Sequence, residues 1–164
     1  MFQQLHGVHS AVSGYSGGSV THPSYEQVCD GATGHAEAVQ VTFDPAVISF
    51  QELLDVFWLT HNPTTRNRQG ADVGTQYRSV IFSHTPEQKE LAEQNKRKLD
   101  AAGVFDAPIV TEIVPFSAFY PAESYHQNYY ADNPWQPYCV SVIRPKLEKF
   151  QRAFGDKLKA QAPK

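Results

Sequence analysis

Cysteine is scarce in this chain, which has only two in 164 residues, Cys29 and Cys139. Two cysteines 110 positions apart do not make the disulfide framework of a small secreted domain, and they lack the close spacing of a zinc site. On composition alone, each is expected to be a small buried hydrophobic residue.

Basic clusters and long apolar runs are lacking as well. The 14 Lys and Arg residues are outnumbered by 17 Asp and Glu residues, for a net charge of −3, so no basic surface for nucleic acid or an anionic membrane is expected. No apolar run approaches the ~20 residues that cross a bilayer, and no signal-peptide pattern opens the chain. These absences favour a cytoplasmic protein without nucleic-acid or membrane partners.

The apolar content, 41% of residues, is enough to bury one core. It predicts a single domain over residues 1–154, followed by a polar tail over 155–164. Ser49 and Glu52 form a capping box, which marks the start of the clearest helix. Local patterns predict strands over 8–15, 37–43, 77–83 and 109–114, and helices from residue 49, over 85–102 and over 144–154.

Three segments concentrate tyrosines, carboxylates and amides where an ordinary loop would carry Ser, Lys and Gly. They are residues 31–37 (GATGHAE), 68–79 (RQGADVGTQYRS) and 119–130 (FYPAESYHQNYY). Glu37 stands at the mouth of an apolar run, where loss of water disfavours the charged carboxylate and raises its pKa. The connection 61–76 lacks apolar periodicity, and its length favours a functional loop. Glu37 is therefore a candidate general acid that holds its proton near neutral pH.

Together these segments closely resemble the A-type peptide methionine sulfoxide reductases, and the resemblance covers nearly all of residues 2–150. It implies an α+β fold, the ferredoxin-like plait built on a split βαβ unit, with a loop-rich C-terminal extension. The order of predicted elements matches that plait if a first strand and most of a first helix precede residue 2.

The resemblance also implies roles for individual residues. Glu37 matches the family's proton donor, and Tyr25 and Tyr77 match tyrosines that are thought to donate hydrogen bonds to the sulfoxide oxygen. A phenol suits that task because its hydroxyl is a strong neutral donor on a rigid apolar body. By residue type alone each tyrosine would be assigned a structural role, and the surrounding motifs favour the site instead. Three further positions match groups in or behind the pocket wall: Asp72, Glu123 and His126.

Cys139 matches the family's recycling cysteine, whereas Cys29 matches a position interpreted as structural. In the family cycle a thiolate attacks the sulfoxide sulfur, which yields methionine and a cysteine sulfenic acid. Cys139, on a Pro-bounded loop, would condense with that group to a disulfide, and thioredoxin or another dithiol would reduce it. The resemblance implies free or protein-bound methionine sulfoxide as the substrate, with no metal and no bound cofactor.

The family's attacking cysteine lies in a Gly-Cys-Phe-Trp motif immediately before the segment that here spans residues 2–8, and this sequence does not contain the motif. Neither Cys29 nor Cys139 has such a context. An N-terminal truncation is the expected explanation, and the chain as written is expected to be inactive.

Two other hypotheses remain open. His35 and Glu37, with the distant His126, could supply two imidazoles and a carboxylate to iron, as in a non-haem metal-dependent oxidase or oxygenase. That hypothesis requires the three side chains to converge within metal-bonding distance. Otherwise each histidine is expected to be a structural hydrogen bonder. The other hypothesis is a non-catalytic module that binds methionine sulfoxide.

Overall fold

The computed structural model of the protein describes residues 1–160, and its mixture of helices and strands confirms the α+β class. No helix in this described range has both the length and the apolar character that a membrane crossing requires. The strands are β1 (Val8–Ser16), β2 (Ala36–Phe43), β3 (Arg68–Gln69), β4 (Asp72–Val73), β5 (Val80–Ser83), β6 (Glu112–Pro115) and β7 (Phe119–Pro121). The α-helices are α1 (Tyr25–Cys29), α2 (Phe50–Thr60), α3 (Pro86–Ala101), α4 (Tyr129–Asp132) and α5 (Arg144–Ala153).

The chain divides into two compact units, each assembled from separate stretches of sequence. The first comprises Met1–Val12, Gln40–Thr60 and the residues from Ser124 onward, and the second comprises Ser13–Val39 and His61–Glu123. Strands β1 and β2 each run through both. The single domain over residues 1–154 stays a prediction.

The first unit is built around the apolar stripes of α2 and α5, which pack against each other. Helix α2 begins at the predicted capping box, where the Ser49 amide donates to the Glu52 carboxylate at 2.7 Å. Phe150 of α5 is completely buried, and burial of a side chain of this size contributes roughly 1.5–3 kcal/mol. The buried core of this unit consists of Leu5, Val8, Ile48, Leu53, Val56 and Phe150.

The first residues of the segment predicted as a polar tail are packed onto the N-terminal residues. Leu158 forms an antiparallel bridge with Leu5, and the His6 amide donates to the Lys157 carbonyl at 2.9 Å. The Lys157 ammonium is paired with the Glu52 carboxylate. Apolar contact of Leu158 with the core explains why the segment does not fray. Residues 161–164 lie outside the described range.

The second unit contains a βαβ arrangement in which β5 and β6 pair in parallel, from Val80 opposite Glu112 to Ser83 opposite Pro115. Helix α3 connects the two strands, as a parallel pair requires. The predicted N-cap of α3 is confirmed, because the Thr85 hydroxyl accepts a hydrogen bond from the Gln88 amide at 3.2 Å.

Within residues 1–160 the strands form three separate sheets, with the orders β2-β1-β7, β3-β4 and β5-β6. The plait expected from the sequence includes a further strand ahead of residue 2, and the described strands by themselves do not join into one sheet. Two local predictions also change. Thr75–Tyr77 is a 3-10 turn, so β5 begins three residues later than predicted, and the expected loop after β1 contains α1.

Candidate active site

Tyr25 is the first residue of α1, a helix of five residues that a capping box starts. The Ser24 hydroxyl accepts from the Gln27 amide at 3.3 Å, and the Gln27 side chain accepts from the Ser24 amide at 2.9 Å. These bonds satisfy backbone N–H groups that have no partner inside a helix. This helix lies where the sequence predicted a loop, although Ser24 and Gln27 have the spacing of a capping box.

Glu123 lies directly against the start of α1. One of its carboxylate oxygens accepts from the Tyr25 amide at 2.8 Å, and the other accepts from the Tyr15 hydroxyl at 2.8 Å. A negative group at a helix N-terminus is favourable because it faces unpaired N–H groups and the positive end of the helix dipole. Both oxygens are thus engaged by the protein, and Glu123 supports the backbone that carries Tyr25.

The loop before Glu37 is fixed by His35, which is 2% exposed. Its Nδ1 accepts from the Gly18 amide at 3.0 Å and its Nε2 donates to the Val20 carbonyl at 2.7 Å, so the ring is the neutral Nε2–H tautomer. A Cβ on Gly18 would lie 2.4 Å from the Thr33 carbonyl oxygen, so only glycine permits this approach. His35 is thus a structural hydrogen bonder, which was one of the two roles predicted for it. By fixing this loop, it places Glu37 at the start of β2.

Arg78 connects the two loops that carry the candidate acid and the second tyrosine. Its guanidinium donates to the Gly34 carbonyl at 3.0 Å and to the Thr75 carbonyl at 2.9 Å, and it pairs with Glu112 at 3.5 Å. A planar guanidinium with several donors is suited to such a link. Gly34 is three residues before Glu37, and Thr75 starts the turn that ends at Tyr77.

Tyr25, Glu37, Asp72 and Tyr77 are coupled electrostatically: Asp72 raises the pKa of Glu37 and of Tyr77, and Glu37 and Tyr77 raise the pKa of Tyr25. Desolvation raises the pKa of Glu37, and the nearby negative charge of Asp72 raises it further. Glu37 is an exposed residue at the start of β2, yet the surrounding protein still removes enough water from its carboxylate to raise its pKa.

The two phenols are also held in their neutral form. A hydrogen bond from the Tyr25 hydroxyl to Cys29, one helical turn later, is the largest cause of the raised pKa of Tyr25. Desolvation is the largest cause for Tyr77, followed by the charge of Glu37. Two neutral O–H donors beside a carboxyl group that favours its proton can bind a polar oxygen atom and protonate it.

Two predicted site residues belong to the first unit, His126 in a short 3-10 turn and Cys139 at the start of a π-helix, Cys139–Ile143. The sequence predicted Cys139 on a Pro-bounded loop, whereas in the structure it starts a helix and is 0% exposed. The metal hypothesis has no support. Both ring nitrogens of His35 are engaged by backbone groups, and residues 1–160 contain no group of three or more His, Cys, Asp or Glu side chains suited to a metal ion.

Comparison with known proteins gives a consistent result. The chain matches the family described as "Peptide methionine sulfoxide reductase" over residues 1–158. It is 55% identical over 164 residues to the peptide methionine sulfoxide reductase MsrA of Ralstonia nicotianae, a match that covers 98% of this chain and 86% of the relative.

Two solved structures are similar in fold. The reduced form of Mxr1 from Saccharomyces cerevisiae superposes with a TM-score of 0.75 at 37% identity, covering 81% of this chain and 76% of that one. Mxr1 from the same yeast in complex with Trx2 gives a TM-score of 0.50 at 25% identity, covering 75% of this chain and 67% of that one.

Proposed function

Because this chain belongs to the peptide methionine sulfoxide reductase family, we propose that the group formed by Glu37, Tyr25 and Tyr77 binds and protonates the oxygen of methionine S-oxide. The observation that supports this assignment most directly is the raised pKa of Glu37 beside two phenols that keep their protons. A proton donor is needed because oxygen leaves sulfur far more readily when protonated than as oxide.

In the family reaction a thiolate attacks the sulfoxide sulfur while an acid gives a proton to the oxygen. A bond between the two sulfurs forms as the protonated oxygen leaves as water. Attack of water on the cysteine sulfur then breaks the sulfur–sulfur bond, which releases methionine and leaves the cysteine as a sulfenic acid. The residues of this chain account for the oxygen side of that step: Tyr25 and Tyr77 donate hydrogen bonds, and Glu37 supplies the proton. Desolvation raises the pKa of Glu37, and the negative charge of Asp72 raises it further, which favours the proton that Glu37 has to supply.

Recycling of the sulfenic acid is assigned to Cys139. Its thiol would displace water from the sulfenic acid and form a disulfide, which an external dithiol reduces. The yeast relative Mxr1 has been crystallised with Trx2, which supports thioredoxin as that dithiol for this chain. The substrate is free or protein-bound methionine sulfoxide, the site needs no bound cofactor, and a cytoplasmic location stays a prediction.

Binding by the 164-residue chain tests the oxygen site. Calorimetry with N-acetyl-methionine S-oxide methylamide should show binding that weakens about 5- to 10-fold in Tyr77→Phe, the effect of one lost hydrogen bond. Glu37→Ala should weaken it as well. Glu90→Gln, on the exposed face of α3, is the matched control and should bind as the wild type does. Equal affinity in Tyr77→Phe and the wild type would exclude the assignment of this hydroxyl.

Turnover distinguishes the reductase from a module that only binds. With a dithiol present, the 164-residue chain is expected to bind the sulfoxide without reducing it above a no-enzyme blank, since its sequence lacks Gly-Cys-Phe-Trp. Reduction that persists when Cys29 and Cys139 are both changed to serine would reject the thiol mechanism. Reduction that is lost in Cys29→Ser alone would make Cys29 the attacking thiol.

A further inference from the structure

Gln76 lies between the two elements that carry the site tyrosines. It is 5% exposed, and its side-chain amide donates to the carbonyl of Cys29 at 3.2 Å. Cys29 is the last residue of α1, whose first residue is Tyr25, and Tyr77 directly follows Gln76 in the chain. One side chain therefore ties the C-terminal end of α1 to the turn that bears Tyr77.

The backbone conformation at Gly74 leaves room for the Gln76 side chain. Gly74 has φ 152° and ψ 159°, a backbone conformation adopted almost only by glycine. A Cβ at this position would lie 2.2 Å from Oε1 of Gln76 and 2.9 Å from its Nε2. The absence of a side chain at residue 74 is what lets the Gln76 amide fold back over the loop and reach Cys29.

Helix α1 depends on contacts of this kind because five residues are too few for a helix to be stable alone. Glu123 holds its first amide, and Gln76 holds its last carbonyl. The residue whose carbonyl Gln76 holds is also the hydrogen-bond partner of the Tyr25 hydroxyl, and this bond raises the pKa of that phenol.

We propose that Gln76 is a positioning residue for the sulfoxide-oxygen site, because it sets the separation of the Tyr25 and Tyr77 hydroxyls by clamping α1 to the Thr75–Tyr77 turn. The inference rests on the proposed function for the identity of the ligand. The clamp itself rests on the hydrogen bond to Cys29, the burial of Gln76 and the conformation of Gly74. The Gln76 amide also lies close enough to Tyr77 to oppose the rise in the pKa of that phenol.

The test uses the 164-residue chain with two near-isosteric variants. Gln76→Met keeps the volume but removes the donor, and Gln76→Glu keeps the shape but places an acceptor against the Cys29 carbonyl. Gln94→Met is the matched control, because Gln94 makes one exposed side-chain hydrogen bond to Glu90 on α3. Two quantities are measured: the affinity for N-acetyl-methionine S-oxide methylamide, and the ring signals of ¹³C-labelled tyrosine, assigned with Tyr→Phe variants.

Gln76→Met is expected to weaken binding about 5- to 10-fold and to shift the signals of both Tyr25 and Tyr77, with Tyr130 unchanged. In Gln76→Glu the new carboxyl group becomes a donor when it is protonated. The affinity of the Gln76→Glu variant for the sulfoxide, relative to that of the wild type at the same pH, should therefore recover as the pH falls below the pKa of the new carboxyl group. A residue that merely fills space would not produce this rescue.

Each outcome decides something. Unshifted tyrosine signals in a folded Gln76→Met variant would overturn the clamp, as would a Gln76→Glu variant whose signals stay displaced after its carboxyl is protonated. If Gln76→Met does not fold, the pH series of Gln76→Glu carries the decision. If the wild type binds no sulfoxide, the proposed function fails, while the tyrosine signals still determine whether Gln76 sets the geometry.

Discussion

Replacing Gly74 with alanine should destabilise the protein far more than the same change at Gly70. Both glycines have positive φ, 152° at Gly74 and 63° at Gly70. A Cβ at Gly70 meets nothing within 4 Å, whereas a Cβ at Gly74 meets the Gln76 amide at 2.2 Å. The far end of the Gln76 side chain can swing away, but only if it gives up its buried hydrogen bond to the Cys29 carbonyl.

The expected cost at Gly74 has two parts. The backbone conformation costs a non-glycine residue about 1–3 kcal/mol, and a buried polar group that loses its partner costs about 1–3 kcal/mol more, so the total is roughly 2–6 kcal/mol. Gly70→Ala carries only the left-handed conformation, at about 1–2 kcal/mol. Domains are stable by only about 5–15 kcal/mol, so Gly74→Ala removes a large share of the total.

Urea unfolding followed by circular dichroism measures the difference. Gly74→Ala should have the lower midpoint at an unchanged m value, which would mean that stability rather than compactness has changed. Equal midpoints for the Gly74→Ala and Gly70→Ala variants would refute the reasoning, because the contact with Gln76 would then contribute nothing. The tyrosine signals of Gly74→Ala should also move in the same direction as those of Gln76→Met.

Three experiments that depend on pH test the pKa shifts of Glu37, Tyr25 and Glu52. The raised pKa of Glu37 means that its contribution to stability is greatest below the unfolded pKa and is lost as pH rises through the folded pKa. Glu37→Gln should therefore raise the melting temperature at pH 7 and not at pH 3. A melting temperature raised at pH 3 and not at pH 7 would contradict the desolvation argument. Cys29→Ala should lower the pKa of Tyr25 in an ultraviolet titration, and an unchanged Tyr25 would exclude the hydrogen bond to Cys29 as the cause. The Lys157 ammonium and Ser49 hold the pKa of Glu52 at about 2, so the stability that this carboxylate contributes is present above the unfolded pKa and is lost as pH falls toward 2. Glu52→Gln should lower the melting temperature at pH 7. A difference in melting temperature from the wild type that persists in full at pH 2 would reject this pairing.

The sequence predicted those elements whose signals are local. Ser49 with Glu52 and Thr85 with Pro86 mark helix starts that the structure has, because a capping pattern is contained within four residues. Helix α1 was missed because only Val28 of its residues is buried, which leaves no apolar periodicity to detect. The strand predicted from residue 77 begins at Val80, because Thr75–Tyr77 forms a 3-10 turn instead of extended backbone.

The sequence indicated which residues form the candidate site, but not which residues hold them in place. Unusual side chains in two separate segments indicated that Glu37 and Tyr77 belong together, and the charge of Glu37 contributes to the raised pKa of Tyr77. The function of Gln76 could not be read from sequence because its acceptor is a backbone carbonyl, which any residue provides. The same holds for His35, whose two partners are backbone groups of residues 18 and 20.

The burial of Cys139 at the start of a π-helix has a kinetic consequence for its chemistry. A thiol with no exposed surface reacts with a soluble reagent only in the fraction of time that its local structure is open. Each 1.4 kcal/mol of opening free energy slows alkylation about tenfold. The π-helix that contains Cys139 is a rare form of helix that occurs mostly as single turns. Under the recycling role proposed for Cys139, a disulfide would form only after this segment opens, and the closed segment would keep small oxidants away from the thiol.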